Sequence, residues 1–207
     1  MRLAFVTGSL VHGGAERHAI TLANRLAERG HECALAYVKN DPSQLARLSG
    51  AVGVECMHAR RYLDFSAVKR LAFFLREHAP DVIVATNPYA LMYASLARDR
   101  APLMVTYHTT LLLTKKEWLQ MLAYRPMFWS AERVVFVCEA QRLYWLRRKL
   151  CGSRHQVIYN GIDTEHWKPQ PEVSQQIRTQ LGYGLEDLVI GMSAVLRPEK
   201  NPLQLVA

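Results

Sequence analysis

Pro80-Asp81-Val82-Ile83-Val84-Ala85-Thr86-Asn87-Pro88 holds the stretch that decides the fold. Val82 to Ala85 is apolar at every position and is closed on both sides by turn-forming residues. A strand without polar alternation is buried on both faces, which is the habit of parallel sheets. Just upstream, Phe65 to His78 has helical spacing, with Val68, Leu71, Ala72 and Leu75 inward. Further back, Leu3 to Val6 reads as a buried strand followed by a Gly-rich turn. Ala15, Ala19, Leu22, Ala23 and Leu26 then recur at helical spacing, and Gly30 ends that helix. Cys33 to Val38 is the next strand and Val52 to Met57 a weaker one.

Downstream the alternation continues. A short helix follows Pro88, and Leu103 to Tyr107 is a strand. A helical stretch from Lys115 to Trp129 is expected to break near Pro126, where an N–H is missing. Val134 to Val137 is a strand, Glu139 to Leu150 a helix and Gln156 to Tyr159 a strand. Strand and helix in turn predict an α/β fold, a Rossmann-like parallel sheet with helices on both faces. Pro169 to Pro171 marks a linker. A helix from Val173 to Leu181 and a strand from Leu188 to Met192 would begin a second sheet, and apolar Leu203, Leu205, Val206 and Ala207 a further helix.

At 207 residues the chain is long enough for one well-buried domain and part of another. Cys33, Cys56, Cys138 and Cys151 form no Cys-x-x-Cys pair, so neither a zinc site nor a disulfide framework is suggested. The first three read as small buried thiols in a reducing compartment. The apolar run after Arg2 is too short for a signal peptide, and Thr86, Asn87 and Pro88 interrupt the run from Val82 to Ala97. A cytoplasmic protein is expected, without a metal or cofactor. The net charge is +8, yet no nucleic-acid module is present.

Four groups of residues are able to carry chemistry. Gly13 and Gly14 sit between a buried strand and a helix, where bare backbone can approach an anion at the helix start. The spacing is not the dinucleotide fingerprint, and a plain tight turn reads the same way. His108 follows a strand, where ligands of open α/β sheets bind. There it is either a hydrogen-bonding group for a ligand or a solvent-facing loop histidine. Asn87 and Tyr89 also lie beyond a strand end, facing an acceptor or simply starting a turn. Arg197 and Lys200 offer cations to phosphate, or form a solvated turn.

Gly13-Gly14-Ala15-Glu16-Arg17-His18, Tyr159-Asn160-Gly161-Ile162-Asp163 and Arg197-Pro198-Glu199-Lys200-Asn201 together resemble the family-4 glycosyltransferases. The resemblance covers nearly the whole chain and implies two doubly wound domains that use a nucleotide-sugar and no metal. It implies an acceptor-side domain over residues 1–161, a linker over 162–171 and the start of a donor-side domain over 172–207. Asn160, Gly161 and Asp163 match the interdomain segment, and Asp163 is able to cap the turn after it. Gly13 and Gly14 would approach donor phosphates or acceptor, and Glu16, Asn87 and Tyr89 the acceptor. His108 would face the transferred sugar, and Arg197 and Lys200 would bind the diphosphate. Many relatives carry Gly-Arg five residues before that Lys; this chain has Ala194-Val195. Cys138-Glu139-Ala140 resembles a segment that commonly reads Ser-Glu-Ala, with a weak-capping thiol in place of the hydroxyl.

The implied activity is retaining transfer of a sugar to a glycan or lipid-linked acceptor. A non-catalytic half that holds acceptor or membrane is the alternative, and a nucleotide-binding oxidoreductase ranks below both. From Lys115 to Lys149, eight basic residues stand against three acids, with Trp118, Trp129 and Trp145 interspersed. That stretch reads either as two ordinary helices or as a patch for the inner face of a membrane.

Overall fold

A computed structural model describes residues 1–109, 112, 114–194 and 200–206. The chain divides into two compact units, Met1–Asn160 and Gly161–Ala207.

In the first unit the elements are β1 (Arg2–Thr7), α1 (Gly14–Glu28), β2 (Glu32–Tyr37), β3 (Gly53–Cys56), α2 (Phe65–His78) and β4 (Val82–Thr86). They continue with α3 (Asn87–Ala97), β5 (Leu103–Tyr107), α4 (Lys115–Ser130), β6 (Arg133–Phe136), α5 (Glu139–Arg147) and β7 (His155–Val157). The seven strands form one sheet in the order β3-β2-β1-β4-β5-β6-β7, and every pair is parallel. The expected Rossmann-like sheet is therefore present. Its direction of growth reverses between β1 and β4, where Val6 is in register with Ala85.

The pleat sorts the core into two layers, because successive side chains point to opposite faces. Ala4 and Val6 of β1, Ile83 and Ala85 of β4, and Leu103, Val105 and Tyr107 of β5 face one layer. There they meet Leu71, Phe74, Tyr93, Phe128 and Trp145 from α2 to α5. Phe5, Leu35 and Tyr37 face the other layer and pack on Ile20 and Ala23 of α1. Helices thus cover both faces, most thickly on the side of α2 to α5.

Two expectations are corrected. Pro126 lies inside α4 without ending it. It removes one intrahelical hydrogen bond, but Met121, Tyr124 and Phe128 pin both sides of it to the core. Cys138 is the N-cap of α5, at the helix start where its sequence context places it, its sulfur accepting from the Gln141 N–H at 3.5 Å. It is only half-buried, as is Cys56, so two of the three expected buried thiols are not fully enclosed.

In the second unit α6 (Pro171–Leu181) and α7 (Pro202–Val206) are helical. Leu188 to Met192, expected as a strand, has no strand conformation. A strand is defined by its ladder, and the described residues of this unit supply no partner strand. Asp163 accepts from the N–H groups of Glu165 and His166 at 3.1 Å each, capping the turn that opens the unit as its sequence implied.

Leu71 is fully buried under the sheet. Leu71→Ala is expected to lower the stability of the first unit by about 2–5 kcal/mol, the sum of lost burial and a residual cavity. Urea unfolding followed by circular dichroism measures this.

Candidate functional site

A parallel sheet brings all its strand exits to one edge, and the reversal between β1 and β4 opens a crevice there. The turn after β1, the start of α3 after β4, and the segments after β5 and β6 all leave on that edge. Most of the residues singled out from sequence lie on them.

The turn after β1 ends at Gly13, the N-cap of α1, in extended backbone with no side-chain cap. A Cβ there would overlap the Glu16 carboxylate, so a larger residue would displace Glu16 from the start of the helix. Gly14 has open space around it and no protein group demands glycine there. The turn is braced by Gln44, a buried side chain whose Nε2 donates to the carbonyls of Val11 and Gly13. At the far side of the crevice a Cβ on Gly8 would sit 3.2 Å from the Tyr89 ring, so Gly8 lets that ring close over β1.

Asn87 begins α3 with φ +68°. Asparagine enters that left-handed region more readily than other residues with a Cβ. Its Oδ1 accepts the His108 backbone N–H at 3.1 Å, so its carboxamide oxygen serves the β5 exit. Tyr89 stacks with Tyr62 and Tyr93, and Lys39 Nζ lies 5.1 Å from its ring centroid. Burial raises the Tyr89 pKa.

His108 is held more closely than a loop histidine. Its ring lies 5.1 Å from that of His18 in the second turn of α1. Burial, reinforced by His18, pushes its pKa down to about 4, and burial lowers that of His18 as well. Both imidazoles are therefore neutral near pH 7, and a neutral imidazole has one donor and one acceptor nitrogen. Buried His108 Nε2 has no hydrogen-bond partner among the described residues. Thr7 Oγ1 at the end of β1 and the Tyr89 hydroxyl are in the same condition. Ser95 Oγ, near the other end of α3, is a fourth such atom. Buried polar atoms are normally satisfied, so three unmet groups at one edge point to a ligand.

His18 belongs to the glycine motif, yet its sequence context assigns it no role; only the fold shows that α1 turns it toward the β5 exit. Gln44 and Gln141, also without a role in the sequence pattern, prove to be buried. Asn160, Gly161 and Asp163 are exposed around the boundary between the units. Lys200 is exposed in the second unit. Arg197 lies outside the described residues, as does Val195. Among the described residues no His, Cys, Asp or Glu cluster is able to hold a metal. A cavity of about 300 Å³ opens at the opposite edge of the sheet, between Leu75, Arg76, Pro80, Ile83 and Arg100. It lies at the amino ends of β4 and β5, away from the unsatisfied polar atoms.

The family model of Glycosyltransferase Family 4 matches residues 12–166. The chain belongs to this family. No curated protein matches the sequence significantly. Among solved structures it is similar to Anabaena HepE in complex with UDP and glucose, with 21% identity and a TM-score of 0.70 over 88% of this chain and 50% of that one. It is also similar to sucrose-phosphate synthase from Thermosynechococcus elongatus, with 14% identity and a TM-score of 0.68 over 90% and 54%. A glycosyltransferase from Rickettsia africae matches at 17% identity and a TM-score of 0.68 over 89% and 50%. This family member thus spans about half the length of the solved structures it matches.

The depressed histidine pKa values carry a stability consequence. The unfolded chain takes up a proton at each histidine below about pH 6.5, while folded His108 resists until about pH 4. Stability is therefore full above pH 6.5 and falls as the pH drops toward 4, by roughly 2–3 kcal/mol for His108. Urea unfolding at pH 7, 6 and 5 is expected to show this loss, and His108→Gln to flatten it.

Proposed function

We propose that this chain is the acceptor-side part of a retaining glycosyltransferase that moves a sugar from a nucleotide-sugar to a glycan or lipid-linked acceptor. The observation that carries the reading is His108. It is a neutral imidazole, seated beyond a strand end near the reversal of the sheet, with a buried ring nitrogen that has no partner among the described residues. Family membership says which chemistry such a group serves, and HepE, which holds UDP and glucose, supports a nucleotide-sugar donor.

In this reading the ring of His108 hydrogen-bonds a hydroxyl of the transferred sugar. As the bond to the leaving diphosphate breaks, the sugar gains oxocarbenium character, and a fixed neutral donor or acceptor stabilises the changing charge without reorganising. His18 excludes water from one side of the ring. The Gly13–Gly14 turn lets backbone N–H groups at the start of α1 approach an anionic group. Tyr89, Lys39 and Glu16 belong to the acceptor side. Lys200 and Arg197 would meet the diphosphate, and this chain spans only about half the length of the solved structures it matches. The isolated chain is accordingly expected to bind nucleotide-sugar weakly and to turn it over little. In a transfer-competent protein, His108→Ala is expected to lower kcat by about a hundredfold, roughly 3 kcal/mol, with nucleotide affinity nearly unchanged. Steady-state rates together with nucleotide titration decide this; an unchanged kcat returns His108 to the loop histidines.

A peripheral membrane surface is also proposed as a partner, on narrower grounds than the sequence suggested. Trp145 is buried, and its indole N–H donates to the Thr109 carbonyl, so it is no anchor. Trp118 and Trp129 are about half exposed on α4, Trp118 with Leu119 in the turn after Lys115 and Lys116, and Trp129 at the other end of the helix. No described helix is long and apolar enough to cross a membrane. Vesicles rich in phosphatidylserine should sediment the chain at low salt and release it at high salt, since each cation contributes about 1 kcal/mol within a Debye length. Trp118→Ala/Trp129→Ala is expected to weaken that association, and indifference to such vesicles at low salt removes the membrane from the account.

A further inference from the structure

Gln141 is the third residue of α5, the position from which a capping box reaches back over the helix start. Its carbonyl oxygen reaches one residue further back than a capping box, past the N-cap Cys138, and accepts the Val137 N–H at 2.9 Å, while Cys138 caps the Gln141 N–H. Glutamate serves this capping position as well as glutamine. Here the other end of the side chain rules glutamate out. The Gln141 Nε2 donates to the carbonyls of Tyr107 at 2.8 Å and Thr109 at 3.1 Å, the residues on either side of His108. A carboxylate has no proton for either bond and would face two carbonyl oxygens. The side chain is wholly buried and uses both ends of its carboxamide.

We infer that Gln141 is a positioning residue for His108: it ties the exit of β5 to the start of α5 and so sets where the imidazole stands in the site. The Trp145 indole N–H supports it by donating to the same Thr109 carbonyl at 2.9 Å. Asn87 holds the same segment from the opposite side, through the His108 N–H. The segment is thus held at two peptide groups flanking His108, the one between Tyr107 and His108 and the one that follows Thr109, by side chains from α3 and α5. Gln44 provides an internal parallel: its Nε2 donates to two carbonyls of the glycine turn. The two glutamines are the only buried carboxamides among the described residues, and each braces a segment at the carboxyl edge.

The inference rests on the proposed role of His108, and two readouts separate them. The first is the His108 ring and the amides of residues 107–109, followed by NMR in this 207-residue chain. Gln141→Glu keeps the acceptor and loses both donors; Gln141→Met keeps the volume and avoids a buried charge should the glutamate variant fail to fold. Cys138→Ala weakens the same helix start without touching the brace. Both Gln141 variants are expected to shift the His108 ring signals. They should also speed amide exchange of the segment by about tenfold, the equivalent of one net hydrogen bond. Cys138→Ala should lower the melting temperature and leave those signals in place. If the ring signals of Gln141→Met coincide with wild type while the melting temperature falls, Gln141 is structural only and the inference is overturned. The second readout is transfer in a competent enzyme, where Gln141→Met should lower kcat by about a hundredfold with KM for donor little changed, the cost of misplacing a reacting group. Moved ring signals with an unchanged kcat would uphold the brace and contradict the function assigned to His108.

Discussion

Parallel strands cannot be joined by hairpins, so each connection crosses a face of the sheet and every exit falls on the same edge. The whole site depends on that constraint. Val82 to Ala85 can be apolar throughout only because layers of side chains cover both faces, and that covering is the crossover helices themselves. The edge where glycine turn, Asn87, His108 and Gln141 emerge results from burying a continuous apolar strand. No special arrangement is needed to bring residues about a hundred positions apart in sequence to one crevice.

Buried polar side chains make definite the segments that the topology gathers. A strand exit is a place where backbone carbonyls lose their ladder partners, and buried carbonyls must be satisfied in some other way. Gln44 and Gln141 satisfy them in pairs, Trp145 adds a second donor to the Thr109 carbonyl, and Asn87 accepts the His108 N–H. The segments they hold are consequently fixed before any ligand arrives. Against this economy of paired groups, Thr7 Oγ1, the Tyr89 hydroxyl and His108 Nε2 have no partners among the described residues at the same edge. Preorganised surroundings with unmet capacity at the centre are what electrostatic stabilisation of a developing charge requires.

Most of the fold is legible in the sequence because apolar periodicity and turn residues report burial directly. Phe65–His78 and Leu103–Tyr107 have the bounds their sequence indicates, and other elements differ by a few residues. The errors fall where local pattern and tertiary packing disagree. Pro126 has the local character of a break, but side chains on both sides of it are anchored in the core. Leu188 to Met192 has strand composition without strand partners, and composition cannot report a missing neighbour. The site is legible in part. Glycine turn, Asn87 and His108 can be placed at strand ends, since those positions derive from chain order. His18, Gln44 and Gln141 cannot: a polar residue on an amphipathic helix or in a loop reads as solvent-facing, and its true surroundings belong to a distant strand exit.

The account's central claim is that the nucleotide-sugar meets this chain at the carboxyl edge of its sheet. Amide shift mapping of the isotope-labelled chain during titration with UDP-glucose tests it most directly. The account predicts weak binding, with perturbations gathered at Gly13, Gly14, His18 and His108. Perturbations confined to the opposite edge, around Arg76, Pro80 and Arg100, or none at millimolar ligand, would contradict it.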